Sequence, residues 1–232
     1  MSMARPEFTP EQRNDIESDI RNTARHLFAR DGYRNVSLRA IARETGRSAT
    51  ALYRYYDSKD ALLASLRVEG FALLQASLEA VRATDQTPEA AISGAMTAYL
   101  RFAREHSELF RLMFELDQGD LSDLPHVTAA RRRAFASAIA LAEDLVVAGG
   151  SGDANQIAHI LWVGMHGLAS LALAHQLDLG QSYDQLAAPL TQTLFRGMSA
   201  GDGRLPVALP LNDHEDAALA SSDFPPAIQN VD

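Results

Sequence analysis

Two short segments separated by a single glycine turn constrain the fold of this chain more than any other feature. Residues 37–45 and 48–55 each begin with a serine and continue with small or apolar residues at helical spacing. A serine at the N-cap accepts a hydrogen bond from a backbone N–H of the first helical turn. Gly46, which lies between the segments, tolerates the backbone conformation of a sharp turn. The pattern predicts two short helices in a helix-turn-helix arrangement.

Signals for helix starts and ends recur along the rest of the chain. Thr9-Pro10 and Thr87-Pro88 each place an N-cap threonine before a proline at the first helical position, and Gly32 ends the first helix. Apolar residues three and four positions apart predict helices over most of the remaining sequence, namely 58–82, 87–106, from Ser107 onward, about 125–148, 154–178 and 183–199. We find no strand pattern and no internal repeat.

These elements predict an all-α fold of about nine helices. A three-helix domain with the helix-turn-helix is expected at 1–62, followed by a larger antiparallel helical domain at 63–200. Residues 117–125 are expected to form a loop. After Gly201 the composition shifts to Pro, Asp, Ala and Ser, so 201–232 is predicted to be a disordered acidic tail.

Charge is unevenly distributed along the chain. The net charge is −9, yet Arg21 to Lys59 contains nine basic and three acidic residues, a net charge of +6. From residue 61 onward there are ten basic and 21 acidic residues. A basic segment on an acidic body indicates one end that faces a polyanion. The second helix of a helix-turn-helix fits the DNA major groove, so double-stranded DNA is the expected polyanion.

Several function classes are excluded by what the sequence lacks. The chain has no cysteine, which rules out Cys-based zinc sites, Fe–S clusters and a Cys nucleophile. It has no Gly-rich phosphate loop, G-x-S-x-G elbow or H-E-x-x-H pair. We expect no enzyme activity, no cofactor and no metal. The N-terminus lacks the apolar core of a signal peptide, and a cytoplasmic protein is expected.

The stretch from Ala154 to Leu177 contains no charged residue and is long enough for a membrane span. It contains three histidines, however, and no Lys or Arg anchors flank it. A helix that is apolar on nearly all sides can also be buried by a partner subunit. We therefore expect no membrane insertion.

The run from Gly32 to Leu63 resembles the DNA-binding domain of the TetR family. The residues that carry the resemblance are Val36-Ser37-Leu38-Arg39-Ala40-Ile41-Ala42, Gly46-Arg47-Ser48 and Leu52-Tyr53-Arg54-Tyr55-Tyr56-Asp57-Ser58-Lys59-Asp60-Ala61-Leu62-Leu63. Further on, the segments Glu105–Phe114 and Trp162–Gly167 resemble a C-terminal subgroup with a Trp-His-Gly segment.

This resemblance implies a dimeric transcriptional regulator, most often a repressor that leaves its DNA operator when a small, largely apolar effector binds the helical body. It implies DNA contacts at Arg39, Ser48, Ala49, Thr50, Tyr53, Tyr55 and Lys59. Arg47 departs from the family pattern and is either a base-reading side chain or a solvated one. Tyr56 is expected in the core. The alternative function is an all-helical protein-interaction module without sequence-specific DNA binding.

The effector would bind in the body, between helices that carry methionine and aromatic residues. Candidate lining residues are Met96, Tyr99, Leu100, Phe110, Met113, Phe114, Trp162, Met165 and His166. Such stripes also pack protein cores, so core packing remains the alternative for each. Trp162 and His166 share one helix face and are better interpreted as packing or helix-bridging groups. The run Arg131-Arg132-Arg133 is interpreted as a solvated helix face.

The last two helices are expected to form a homodimer interface, in which each subunit contributes two helices. Small residues would allow close backbone approach, and leucines would supply apolar surface. The residues in question are Gly164, Gly167, Ala169, Ala172, Leu168, Leu171, Leu186, Leu190 and Leu194.

Overall fold

The computed structural model describes residues 9–84, 86–114, 124–149, 152–177 and 180–199. Within these ranges the chain forms nine α-helices and a short 3-10 turn at Tyr33–Asn35, with no strand, as predicted. The helices are α1 Pro10–Asp31, α2 Leu38–Glu44, α3 Ala49–Tyr53, α4 Lys59–Arg82, α5 Pro88–Glu105, α6 Ser107–Phe114, α7 Pro125–Val147, α8 Ala154–Leu173 and α9 Tyr183–Ser199.

The predicted N-caps at Thr9, Ser37, Ser48 and Thr87 are confirmed, and Ser58 and Asp153 cap two further helices. In each case the side chain accepts a hydrogen bond from the backbone N–H three residues on. The Gln12 side chain in turn accepts a hydrogen bond from the Thr9 backbone N–H, which completes a capping box.

The predicted end of the eighth helix at 178 is wrong. Helix α8 ends at Leu173, and His175 adopts a positive φ of 55°. A left-handed residue closes a helix in the way that glycine usually does. The sequence does not indicate this helix end, because histidine carries no strong stop signal and the uncharged stretch continues to Leu177.

Helix α4 joins the two parts of the molecule. Its first turns pack with α1, and the rest contacts α5, α6 and α7. The fully buried side chains of Ile20, Ile41, Leu52 and Leu62 hold α1 to α4 together. The predicted boundary at 62/63 falls inside α4 and stays a prediction, while the predicted tail and most of the predicted loop lie outside the described residues.

Helices α4 and α6 are held close together by two contacts. A Cβ on Gly70 would lie 2.4 Å from Sδ of Met113 and 3.1 Å from Cγ of Leu109, so glycine is what allows this approach. The buried Arg67 Nε donates a hydrogen bond to the Leu112 carbonyl at 2.9 Å. This bond compensates part of the cost of burying the guanidinium group.

Two helices, α4 and α8, are long and apolar enough to cross a membrane by length and composition alone. Half of the most apolar window of α4 and a third of that of α8 are buried inside the protein. The core helices of soluble proteins meet the same criterion, so this is weak evidence for a span.

We predict that Gly70→Val destabilises the protein by about 1–3 kcal/mol, because extra methyl groups would overpack the contact with α6. Gly197→Val is the matched control, since a Cβ there meets nothing within 4 Å. The free energy of unfolding from urea titration measures both. Equal stability of the two variants would show that the contact between α4 and α6 is not tightly packed.

Candidate DNA interface and ligand cavity

Helix α3 buries an apolar side chain in the core and exposes polar side chains on its outer face. Leu52 is fully buried, while Thr50 and Arg54 are exposed and Tyr53 is 48% exposed. Ser48 caps the helix by accepting a hydrogen bond from the Ala51 N–H at 3.1 Å. The N-terminal half of α3 is thereby fixed in direction with its side chains available to a groove.

Tyr53 and Lys59 line one surface cleft, which also contains the capping serines Ser37 and Ser58. The Lys59 ammonium donates to the Tyr33 carbonyl at 2.7 Å and lies 4.2 Å from the centre of the Tyr33 ring. It also contacts the Arg34 carbonyl at 3.4 Å. Lysine has three N–H donors, so one donor of Lys59 remains in a cleft that the Asp57 carboxylate also lines.

Three further predicted DNA contacts are engaged or partly buried within the chain. Arg47 pairs with Asp19 of α1 at 2.5 Å and donates to the Thr45 carbonyl at 2.8 Å. This side chain is neither freely solvated nor directed to an open groove, because it ties α1 to the turn before α3. Tyr55 is half-buried and packs against the core, and Ala49 is half-buried on α3. Tyr56 is buried, as expected.

Ion pairing distinguishes two groups among seven of the eight arginines of the basic segment, Arg34 being the eighth. Arg21, Arg25, Arg30 and Arg47 each pair with a carboxylate. The exposed Arg39, Arg43 and Arg54 have no carboxylate within 4.0 Å among the described residues. The second group is free to meet phosphates. Arg43 and Arg54 were missed by sequence reasoning, because local charge spacing does not reveal which arginines find a distant partner.

The helical body contains a cavity of about 460 Å³ between α4, α5, α7 and α8. This volume lies in the usual range of small-molecule sites. Five of the nine predicted lining residues contribute to its wall, namely Met96, Tyr99, Phe114, Trp162 and Met165. In the described part of the chain no cluster of three or more His, Asp or Glu residues could hold a metal ion.

The other four predicted residues, Leu100, Phe110, Met113 and His166, do not line this cavity. Leu100, Phe110 and Met113 are buried in the core, where Met113 covers Gly70. Sequence reasoning missed the contributions of α4 and α7, because their distance to α5 depends on tertiary packing. The missed residues include Phe71, Leu74, Leu78, Phe135 and Ile139.

Three polar side chains at the cavity satisfy one another. The Trp162 Nε1–H donates to the Tyr99 hydroxyl at 3.3 Å, and this hydroxyl lies 2.9 Å from Nδ1 of His166. Burial lowers the pKa of His166 and raises the pKa of Tyr99 above its usual range. A neutral imidazole nitrogen can accept a hydrogen bond that the Tyr99 hydroxyl donates. These groups therefore bridge α5 and α8, as interpreted for Trp162 and His166, and the Trp162 Nε1–H, the Tyr99 hydroxyl and the His166 Nδ1 are already used.

Helix α6 contacts both the cavity and the helix-turn-helix domain. At its C-terminal end Phe114 lines the cavity. Near its N-terminal end the Glu108 carboxylate lies 2.8 Å from His26 Nδ1 and 3.4 Å from Arg25 Nε, both on α1. One short helix thus spans the space between a potential ligand and the first helix of the DNA-facing domain.

Comparison with known proteins decides the family. Residues 20–66 match the family model described as bacterial regulatory proteins of the tetR family. Residues 92–194 match the model described as the tetracyclin repressor-like C-terminal domain. The chain belongs to the TetR family. This family consists of regulatory proteins rather than enzymes, as expected, while the Trp-His-Gly subgroup stays a prediction.

Individual relatives match this TetR-family chain over different shares of its length. An HTH-type transcriptional regulator of Mycobacterium tuberculosis is 36% identical over 92 residues, which are 40% of this chain and 38% of the relative. The match thus spans less than half of that protein's length. A Rhodococcus protein of unknown function has 27% identity and a TM-score of 0.70, covering 85% of this chain and 100% of its own. A tetR-family regulatory protein of Rhodococcus has 21% identity and a TM-score of 0.64, covering 80% and 98%, respectively, and supports the fold.

We predict that Tyr99→Phe costs about 1–3 kcal/mol of unfolding free energy, because Trp162 and His166 both lose their shared hydrogen-bond partner. Tyr55→Phe is the control, since its hydroxyl makes no hydrogen bond to a described residue, and it should cost less than about 0.5 kcal/mol. Urea unfolding compares them. If the two variants lost equal stability, the hydrogen bonds between α5 and α8 would be energetically unimportant.

Proposed function

We propose that this protein is a cytoplasmic, homodimeric transcriptional repressor that binds an operator through α3 and releases it when a small, largely apolar effector fills the cavity. One observation carries the proposal. This TetR-family chain combines a helix-turn-helix, with arginines that have no ion-pair partner among the described residues, and an apolar cavity that α6 connects to α1.

DNA binding is supported by two kinds of exposed side chain, one suited to base edges and the other to phosphates. Thr50 on the outer face of α3 is positioned for base edges, which carry sequence information. Tyr53, Lys59 and Arg39 suit phosphate oxygens, which set the register of the protein on the duplex. Arg47 would have to leave Asp19 before it reached a base, so we assign it a positioning role.

A dimer is supported by the outer face of α8. Val163 is 66% exposed, Leu171 is 49% exposed, and a Cβ on Gly167 between them would meet nothing within 4 Å. These residues follow one another at a spacing of four and therefore share a face. Other residues expected at the interface are used within the chain: Leu168 and Ala169 are buried, and Gly164 packs against Leu194.

Effector release is supported by the position of α6. A ligand that moves Phe114 acts on the same helix whose Glu108 pairs with Arg25 and His26 of α1. In a dimer, a shift of α1 changes the distance between the two α3 helices, which must match half-sites about 34–36 Å apart. Ligand and DNA would then favour different states of one dimer, which is an allosteric coupling.

We predict that Arg39→Ala lowers the dependence of DNA affinity on salt. Each lost phosphate contact reduces the slope of log K against log salt concentration by about 0.9. Arg101→Ala is the matched control, because Arg101 is also exposed but lies on α5 of the body. Fluorescence anisotropy with an operator duplex selected from random DNA, at several salt concentrations, measures both slopes.

Equal slopes for the two variants would remove Arg39 from the interface. If no duplex bound with a steep salt dependence, the protein-interaction module would become the better account of the basic segment.

We predict that Val163→Glu combined with Leu171→Glu weakens dimerisation at least tenfold, because two carboxylates per subunit would be desolvated at the interface. Val147→Glu is the control, since Val147 is 87% exposed at the end of α7. Sedimentation velocity over a concentration series reports the dissociation constant. An unchanged constant in the double variant would place the interface elsewhere.

A further inference from the structure

The cavity between α4, α5, α7 and α8 has two chemically different parts. Its inner wall is apolar and is built by buried residues that include Phe71, Leu74, Ile92, Met96, Leu161 and Met165. Arg131 and Arg132 also line the cavity, although both are exposed on the protein surface. Side chains that are exposed and yet line a cavity lie at its entrance. The cavity is therefore apolar inside and cationic at its opening.

Among the described residues, no carboxylate neutralises the cationic character of the entrance. The described wall contains no Asp or Glu. Arg131 and Arg132 have no carboxylate within 4.0 Å in the described part of the chain. His159 of α8 is exposed and also lines the cavity. Its Nδ1 lies 2.8 Å from the Asn155 carbonyl oxygen, and the side chain adds no negative charge to the entrance. An anion at the entrance would be the first partner of these two guanidinium groups.

The interior offers no competing site for the polar end of a ligand. Among the described lining residues, Tyr99 alone carries a hydroxyl group, and this hydroxyl already accepts a hydrogen bond from Trp162 and contacts His166. A ligand that placed its polar end there would have to break these bonds and desolvate its own polar atoms. The polar end is therefore favoured at the entrance, with the apolar part of the ligand inside.

We propose that the effector is an amphipathic anion whose apolar body fills the cavity and whose carboxylate or phosphate group is bound by Arg131 and Arg132. The planar guanidinium groups match either oxyanion with paired hydrogen bonds. The identification of this ligand as the effector rests on the proposed function. The run 131–133 is then not a uniform solvated helix face. Arg131 and Arg132 line the cavity, whereas Arg133 is exposed and does not line it.

Trp162 provides the measurement, because it is the single tryptophan of the chain and lines the cavity. Its fluorescence is followed while decanoate, decyl phosphate or decanol is added to the protein without DNA, below the micellar concentration of each probe. The three probes share one tail and differ in the head group. We expect at least one of the two anions to bind tenfold or more tightly than decanol, and the preferred anion identifies the head group as carboxylate or phosphate.

Charge removal at the entrance separates a specific site from general attraction. Arg131→Gln combined with Arg132→Gln should abolish the preference for the anion while leaving decanol binding unchanged, which also shows that the variant is folded. Arg133→Gln, which neutralises the neighbouring arginine, should keep the preference.

Three results would overturn the proposal: no binding of any probe, equal affinities for decanol and both anions, or an equal loss in the Arg133→Gln variant. A protein that binds the anion selectively while its DNA affinity stays unchanged would retain this site and lose the proposed effector-driven release.

Discussion

The contact between α4 and α6 is the constraint on which the rest of this structure depends. Arg67 donates to the Leu112 carbonyl, and Met113 covers Gly70 so closely that a side chain there would collide with it. Because α4 is continuous from the helix-turn-helix domain into the body, this contact couples both parts to α6. Under the proposed function, a change in the cavity wall would reach α1 through packed atoms rather than across a flexible linker, since packed interfaces switch between discrete arrangements.

Side chains that look alike in the sequence have different physical roles in the fold. Arg47 and Arg39 both belong to the basic segment, but Arg47 pairs with Asp19 while Arg39 stays exposed. Tyr53 is exposed, whereas Tyr99 is buried and holds α5 against α8. Under the proposed function, DNA and the effector would meet groups on α2, on α3 and at the cavity entrance that have no internal partner among the described residues.

Most of the fold could be predicted from the sequence because helix signals are local. Ser37, Ser48 and Ser58 act on N–H groups three residues away, and each caps a helix. The cavity could be predicted only in part, since Phe71 and Phe135 reach it through packing between helices distant in sequence. Pairs such as Arg47 with Asp19, and Trp162 with Tyr99, were missed for the same reason.

Selection of bound duplexes from a random DNA pool tests the proposal that two copies of α3 read a two-fold symmetric DNA site. We expect enrichment of an inverted repeat whose half-sites are centred about one helical turn, or a multiple of it, apart. Enrichment of a single asymmetric half-site would contradict the dimeric arrangement. A pool that remained random after repeated rounds would contradict sequence-specific DNA binding altogether.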